Sequence, residues 1–187
     1  MDDPASRRAP RDRAECQRLD SADPLRALRD QFDLDPALVY LDGNSLGALP
    51  RTAARRVAAV VEKERGRGLV RSWTDAGWIG AATRLGAMLA PLIGAAPDEV
   101  ICCDSTSINL FKLLGAALRA QPGRRVVLTE QSNFPTDLYM AEGLVELAGR
   151  GWKLRQVLRS QIEDALDDDV AVLMLTHVDF TTGYMHD

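Results

Sequence analysis

Cysteine and histidine are scarce in this sequence, and each shortage excludes a class of structure. The three cysteines, Cys16, Cys102 and Cys103, are odd in number, and two of them are adjacent within an apolar stretch. This pattern argues against a disulfide framework and fits a reducing cytoplasm. The two histidines, His177 and His186, have no Cys or Glu partners at the spacing of metal ligands. We therefore predict no metal site.

Long apolar runs and a strong excess of charge are also missing. No apolar run approaches the roughly 20 residues that a membrane-spanning helix needs. The charged start, residues 1–20, lacks the apolar core of a secretory signal. A net charge of -4 gives no attraction to nucleic acid or to an anionic membrane. With 46% hydrophobic residues a core can form, so we expect a globular cytoplasmic protein without nucleic-acid or membrane partners.

The pattern of residues divides the chain into three segments. Residues 1–22 are charged and predict a flexible arm. Residues 23–70 predict a helical segment, with a short helix over 24–33 and a longer one that starts at Pro50 and ends at two glycines. Residues 71–187 begin with a tryptophan-containing loop and a third helix, and then change character.

The rest of the third segment alternates short apolar runs with helical patterns. Strands are predicted over 99–104, 124–130, 152–157 and 170–177, and the longer helices over 105–120 and 134–150. This alternation predicts an α/β fold whose mostly parallel sheet is covered by helices on both faces. In such sheets ligands bind beyond the carboxyl ends of the strands, so polar residues at those places are candidate site residues.

The motif DSTSIN, residues 104–109, follows the first predicted strand and opens a helix. Free backbone N–H groups and the hydroxyls of Ser105, Thr106 and Ser107 would suit a phosphate. Plain N-capping by serine or threonine explains the same residues. The GxxxxGK[ST] pattern is absent, which disfavours a nucleoside triphosphate.

The motif NFPTDLY, residues 133–139, lies at the next strand end. Phe134 offers an aromatic face for a bound ring, Pro135 starts the helix and Asp137 sits in its first turn. An ordinary helix start with an acidic first turn accounts for the motif equally well.

Two further polar clusters complete the candidate set. In LDGNSLGALP, residues 41–50, Asn44 and Ser45 stand between two glycines, which suggests an unusual turn or a close approach by a ligand, although a simple connector also fits. In THVDFTTG, residues 176–183, Thr176 offers a hydroxyl to a bound oxygen. His177 is either structural or catalytic, and Asp179 is expected to cap the following turn.

Read together and in this order, YLDGNSLGALP, DSTSINLFK, SNFPTDLY and THVDFTTGYMHD resemble the kynureninase family from about residue 25 onward. That family belongs to the fold-type I pyridoxal-phosphate enzymes. The resemblance implies that residues 71–187 are an incomplete large, cofactor-binding domain. It also implies a homodimeric hydrolase of tryptophan catabolism and NAD biosynthesis, which cleaves L-kynurenine or 3-hydroxykynurenine to anthranilate or 3-hydroxyanthranilate and L-alanine.

The resemblance also assigns roles to residues. Thr106 and Ser107 would bind the phosphate of pyridoxal 5'-phosphate, and Phe134 would stack on its ring. The cofactor site would be completed by Pro135, Thr136, Asp137 and Thr176. On the substrate side, Asn44 and Ser45 would approach L-kynurenine, either in the site of the same subunit or in that of the partner subunit, and Trp73 and Trp78 would border it. Packing in the core or at a dimer interface explains the two tryptophans equally well.

The chain departs from the family pattern at the covalent anchor. Its lysines are Lys63, Lys112 and Lys153, and none is predicted where the Schiff-base lysine belongs. The aspartate that pairs with the pyridine nitrogen is also expected beyond residue 187. No catalytic residue is therefore assigned in this chain, and we predict that it does not turn over kynurenine by itself.

Two other functions remain open at this point. One keeps the fold and changes the chemistry to that of a class V aminotransferase or cysteine desulfurase, although Cys102 and Cys103 are expected to pack in the core of a strand. The other is a non-catalytic fragment that uses its surface for binding. Release of anthranilate or of sulfide, or a stable fragment without cofactor affinity, separates these alternatives.

Overall fold

A computed structural model describes residue 9, residues 12–149 and residues 151–187. The chain forms two compact units, Met1–Ala81 and Ala82–Asp187. The three predicted segments divide the chain at other positions, and their functional boundaries remain predictions. Among the described residues, no helix is long and apolar enough to cross a membrane.

The first unit consists of helices and turns. Helix α1 spans Arg13–Ala22, a 3-10 helix spans Arg26–Gln31, and α2 spans Arg51–Ala59 and continues as a π-helix over Val60–Gly68. A 3-10 turn at Leu69–Arg71, the short helix α3 at Ser72–Asp75 and a 3-10 turn at Trp78–Gly80 complete it. The helix expected over 24–33 is thus present as a 3-10 helix, and the helix expected after Pro50 is α-helical in its first part and π-helical in its second.

Helix α1 lies where the sequence predicted a flexible arm. Its amino end is capped by Asp12, whose carboxylate accepts from the Glu15 backbone N–H at 2.8 Å. None of its residues is buried. The helix is therefore held by local capping rather than by packing, and the arm residues before Asp12, residue 9 apart, lie outside the described residues.

The second unit is built around a parallel sheet. Strand β1 spans Val126–Glu130, β2 spans Lys153–Val157 and β3 spans Val170–Met174. The order across the sheet is β2-β1-β3, and β1 pairs in parallel with both neighbours. All five residues of the central strand β1 are buried, and the predicted α/β fold with a parallel sheet is confirmed.

Helices precede and connect the strands. Helix α4 spans Ala81–Leu89 and ends in a 3-10 turn at Ala90–Leu92, α5 spans Thr106–Ala120, and α6 spans Pro135–Ala148. The crossover from β1 through α6 to β2 explains the parallel pairing, since parallel neighbours need such a connection. A short 3-10 turn, Arg159–Gln161, follows β2. The helix predicted to reach residue 150 ends two residues earlier, and residue 150 itself is not described.

The main core lies between α5, α6 and one face of the sheet. Leu114 and Leu118 of α5 are one helical turn apart and meet Ala141 of α6 and Val127 of β1. Leu144 of α6 and Met174 of β3 complete the buried cluster. The spacing of these apolar residues therefore fixes which side of each helix packs inward.

The other face of the sheet differs from the prediction. Val126, Leu128 and Val170 form a second, smaller buried cluster, with Val157 and Ala165 packed against it. No α5 or α6 residue contributes to this cluster. Within the described parts of the chain, both long helices that pack on the sheet thus lie on the same face, and helical cover of both faces is not seen.

The predicted strand over residues 99–104 is wrong. The Cys102 backbone N–H bonds to the Ala82 carbonyl oxygen at 3.2 Å, so this segment lies on α4. A Cβ at Gly86 would stand 1.9 Å from the Val100 carbonyl oxygen, which shows how closely the two backbones approach. Cys102 is exposed and Cys103 is half-buried, so the two thiols are not in a strand core as expected.

Candidate functional site

Asn133 is the hub of the polar cluster at the carboxyl ends of β1 and β3. Its amide nitrogen donates to the Thr129 hydroxyl at 2.9 Å, and its amide oxygen accepts from the Phe134 backbone N–H at 2.7 Å. The same oxygen accepts from the Thr176 hydroxyl, which follows β3. Asn133 is buried. One side chain therefore fixes the start of α6 and ties it to the neighbouring strand end.

Asp137 and Thr176 are brought together by this arrangement. The Thr176 hydroxyl lies 3.5 Å from Asp137 Oδ2, and both residues are half-buried. Partial burial raises the pKa of Asp137 above its ordinary value of 3.8, and the hydrogen bond from Thr176 opposes that rise. Asp137 therefore holds its proton to higher pH than a solvated carboxyl would.

Phe134, whose backbone N–H bonds to Asn133, presents an aromatic surface. It is 42% exposed and meets Phe180 edge to face, with ring centroids 5.0 Å apart. Pro135 starts α6, and Thr136 follows it on the exposed side. The ring thus has a neighbour that the sequence did not suggest, and it keeps a large accessible part.

The amino end of α5 carries the other two candidate cofactor residues. Ser105 caps the helix by accepting from the Ile108 backbone N–H at 3.4 Å, as the capping interpretation predicts. Thr106 is exposed and Ser107 is half-buried in the first turn. Asp104, with a positive φ of 48, turns the chain into the helix and pairs with Lys112. Capping occupies Ser105, and the hydroxyls of the next two residues stand at the positive end of the helix dipole.

The loop around Asn44 and Ser45 is part of the first unit, and both residues are exposed. The Ser45 backbone N–H bonds to the Asp42 carbonyl oxygen at 3.1 Å, and the Tyr40 hydroxyl bonds to the same oxygen at 3.0 Å. Neither flanking glycine has a positive φ or a close neighbour. The unusual backbone expected there is therefore not observed, and the turn is held by Tyr40 instead.

Trp73 and Trp78 also belong to the first unit. Their rings meet edge to face with centroids 6.1 Å apart, and Trp73 is 54% exposed. The Trp78 indole N–H donates to Glu64 Oε2 at 2.6 Å, and Glu64 also pairs with Arg56. These contacts lower the pKa of Glu64, with the Arg56 hydrogen bond as the larger cause. A packing role is evident for Trp78, whereas Trp73 retains accessible surface.

Arg159 forms a network that sequence reasoning missed. Its Nε donates to Glu130 Oε1 and its Nη2 donates to Asp179 Oδ2, each at 2.7 Å. Its guanidinium carbon lies 4.0 Å from the centre of the Tyr184 ring. His186 Nε2 lies 3.7 Å from the other Glu130 oxygen. An arginine after a strand carries no local sequence signal for such a bridge, because its partners are 29 and 20 residues away.

Asp179 caps its turn, as the sequence predicts. Its Oδ1 accepts from the backbone N–H and hydroxyl groups of Thr181 and Thr182 at 2.7 to 2.9 Å. These bonds, with that from the Thr181 hydroxyl first, hold the pKa of Asp179 far below its usual range. His177, the other ambiguous residue of the motif, is exposed.

The three lysines stand away from these strand ends or are paired. Lys63 is exposed in the π-helix of the first unit. Lys153 opens β2, at the amino edge of the sheet, and Lys112 is paired with Asp104. The described residues also contain no group of three or more His, Cys, Asp or Glu side chains that suits a metal ion.

Comparisons with known proteins agree with the motif resemblance. Kynureninases from Burkholderia mallei (strain SAVP1) and Pseudomonas fluorescens are 56% and 54% identical to this chain over 180 residues, which is 94% of the chain. The chain spans 43% of the length of these curated relatives. No protein-family profile matches the chain. The resemblance to kynureninase is therefore confirmed at the level of sequence.

A solved structure supports the fold. The crystal structure of DndA from Streptomyces lividans matches 73% of this chain and 40% of its own length, with a TM-score of 0.55 and 24% identity. At this identity the likeness concerns the fold alone.

Proposed function

Starting from the similarity of this chain to the kynureninases, we propose that it forms the part of such an enzyme that holds the phosphate and ring of pyridoxal 5'-phosphate. The complete protein would hydrolyse L-kynurenine or 3-hydroxykynurenine to anthranilate or 3-hydroxyanthranilate and L-alanine. We place that reaction in tryptophan catabolism and NAD biosynthesis, carried out by a cytoplasmic homodimer. Identity of 54–56% over 94% of the chain supports the proposal.

The chemistry of the donor set fits the cofactor. A phosphate needs hydrogen-bond donors near a positive potential, and the first turn of α5 offers backbone N–H groups with the hydroxyls of Thr106 and Ser107. An aromatic ring needs a flat apolar neighbour, and Phe134 is accessible for one. Pro135 and Thr136 would complete the ring-facing segment.

The observation that carries the proposal is the meeting of Asp137 and Thr176, with Asn133 linking the ends of two strands to the backbone of Phe134. Carboxyl ends of parallel strands are where such folds bind ligands. Thr176 supplies a hydroxyl, and Asp137 supplies a carboxyl whose pKa is raised by burial. The pair can therefore hold or give a proton at this edge of the sheet.

Pyridoxal phosphate, when bound, supplies an electron sink for cleavage of bonds in an amino-acid substrate, while the protein supplies binding, orientation and electrostatic stabilisation. The contribution of this chain would be non-covalent. Lys112 is paired with Asp104 and Lys153 lies at the opposite sheet edge from Thr176. Substrate contact is proposed, from the family resemblance, for Asn44, Ser45, Trp73 and Trp78.

Equilibrium binding of pyridoxal 5'-phosphate and of pyridoxal to the chain, followed by absorbance, tests the proposal. Replacing Thr106 by valine together with Ser107 by alanine removes two hydroxyls that would meet the phosphate. A hydrogen bond to a charged group contributes about 1.5–3 kcal/mol, so we expect roughly tenfold or greater loss of affinity for the phosphate ester. Affinity for pyridoxal, which lacks the phosphate, should not change.

Thr52→Val is the matched control for this experiment, because Thr52 is an exposed threonine in the first turn of another helix, α2. It should bind both compounds as the unaltered chain does. Equal loss of affinity for both compounds in the Thr106/Ser107 variant would contradict a phosphate site at α5. No binding of pyridoxal 5'-phosphate by the unaltered chain would contradict the proposal as a whole.

A further inference from the structure

One guanidinium connects the ends of all three strands. Glu130 is the last residue of β1, Arg159 follows β2 by two residues, and Asp179 follows β3. Arg159 donates to both carboxylates at 2.7 Å through different nitrogens. The rigid fork of an arginine suits two simultaneous bonds in fixed directions, and a lysine ammonium does not reproduce it.

The two carboxylates are far less accessible than the arginine. The side chains of Glu130 and Asp179 are 3% exposed, whereas that of Arg159 is 29% exposed. Without the guanidinium, two buried negative charges would face each other with His186, at 3.7 Å from Glu130, as the remaining basic neighbour that the structure describes. The network is therefore balanced by Arg159, and its removal leaves a repulsive pair.

Asp179 divides its two oxygens between two tasks. Oδ1 accepts all four bonds from Thr181 and Thr182 and so shapes the turn over 179–183. Oδ2 is bound by Arg159, which attaches that turn to the sheet edge. Tyr184 directly follows the turn, and its ring packs on the same guanidinium.

Two contacts of the candidate site lie within the attached turn or shortly before it. Phe180, next in sequence to Asp179, lies against the ring of Phe134. Thr176, three residues before Asp179, donates to Asn133. A turn that moved away from the sheet would displace both side chains, because they flank its anchor in the chain.

We propose that Arg159 is a positioning residue for the cofactor site: it clamps the segment over 176–184 so that Thr176 and Phe180 stand against Asn133 and Phe134. This inference rests on the proposed pyridoxal-phosphate function. Arg159 itself need not touch the cofactor. Its effect on ligand affinity passes through the turn that it anchors.

Arg159→Met tests the clamp, and Arg155→Met is the matched control. Arg155 also bridges to a separate segment, with its Nη1 2.7 Å from Asp167 Oδ2 and 3.0 Å from the Ala165 carbonyl oxygen, but it lies within β2 and away from the turn. Arg159→Lys keeps the positive charge without the fork and serves if the methionine variant does not fold. Two readouts are needed: the Kd for pyridoxal 5'-phosphate, and hydrogen exchange at the backbone amides of the turn.

We expect Arg159→Met to weaken binding of pyridoxal 5'-phosphate roughly fivefold or more, the usual size of a coupling between separate sites. Exchange should accelerate at the amides of Thr181, Thr182 and Gly183, which bond to Asp179. Arg159→Lys should fall between the methionine variant and the unaltered chain. Arg155→Met should leave both readouts unchanged.

Four other results would overturn the positioning role, the clamp or the cofactor proposal. Faster exchange with an unchanged Kd would show a merely structural arginine and would overturn the positioning role. Equal effects of Arg159→Met and Arg155→Met would overturn it as well. If the unaltered chain does not bind pyridoxal 5'-phosphate, the cofactor proposal fails first, and the positioning role fails with it. Unchanged exchange in Arg159→Met would overturn the clamp and leave the cofactor proposal intact.

Discussion

Replacing Asn133 by alanine should lower the free energy of unfolding of the second unit by about 2–3 kcal/mol. Asn133 is 5% exposed and its hydroxyl partner Thr129 is 0% exposed, so no water replaces the lost bond at 2.9 Å. A buried donor or acceptor left without a partner costs about 1–3 kcal/mol. The Phe134 backbone N–H, bound at 2.7 Å, also loses its acceptor. Because Phe134 is exposed, water can replace that hydrogen bond in part.

Urea titration followed by far-ultraviolet circular dichroism measures this change. Asn109→Ala is a matched control, because the Asn109 amide donates to the Cys103 carbonyl oxygen at 2.8 Å but is only half-buried. It should cost about 1 kcal/mol, the usual net value of one hydrogen bond. Asn133→Ala placed on a Thr129→Val background should cost less than on the unaltered background, since no buried hydroxyl is then left unpaired.

Two results would refute this reasoning. A loss of under about 0.5 kcal/mol in Asn133→Ala, the size of an ordinary surface substitution, would show that the hub is not buried as described. Additive effects of the Thr129 and Asn133 substitutions would show that the two side chains are not coupled.

Three other measurements follow from the same structure. Leu128→Ala, at a fully buried position, should cost about 2–5 kcal/mol in urea titration, whereas Leu173→Ala, 40% exposed on the neighbouring strand, should cost well under half as much. The raised pKa of Asp137 means that the folded state binds this proton more tightly than the unfolded state. The protonated carboxyl therefore contributes to stability below the ordinary pKa of 3.8, and this contribution is lost as the pH rises through the pKa of the folded state. Asp137→Asn should remove that loss, and a pH series of unfolding midpoints that is the same in both proteins would contradict it. The 187-residue chain mixed with pyridoxal 5'-phosphate and L-kynurenine should release no anthranilate, detected by its fluorescence, and release would show that one of its lysines serves as the covalent anchor.

Some elements follow from local sequence because their causes are local. Ser105 caps α5 and Pro135 starts α6, and both starts agree with the prediction because capping and proline geometry depend on neighbouring residues alone. The apolar runs of β1 and β2 likewise predict strands within two residues of the observed bounds, and the run over 170–177 predicts the start of β3 but not its end at Met174. The four kynureninase-like motifs are likewise short runs of neighbouring residues, so the family resemblance follows from the sequence alone.

Other features depended on packing that no local pattern reports. Residues 99–104 have the composition of a strand, yet close contact with α4 at Gly86 takes their backbone away from the sheet. Both long helices pack on the same face of the sheet, and the hydrophobic periodicity within each helix does not indicate which face that is.

The sequence by itself determined the parallel α/β class, the two strand ends, of β1 and β3, that carry polar motifs, and the resemblance that assigns Thr106, Phe134 and Asp137 to a cofactor. Those properties reside in short runs of neighbouring residues. Only the tertiary structure decided that Thr176 meets Asn133, 43 residues away, and that Arg159 joins Glu130 to Asp179. Contacts over such separations depend on how the strands are ordered in the sheet, and β2-β1-β3 is a property of the folded chain.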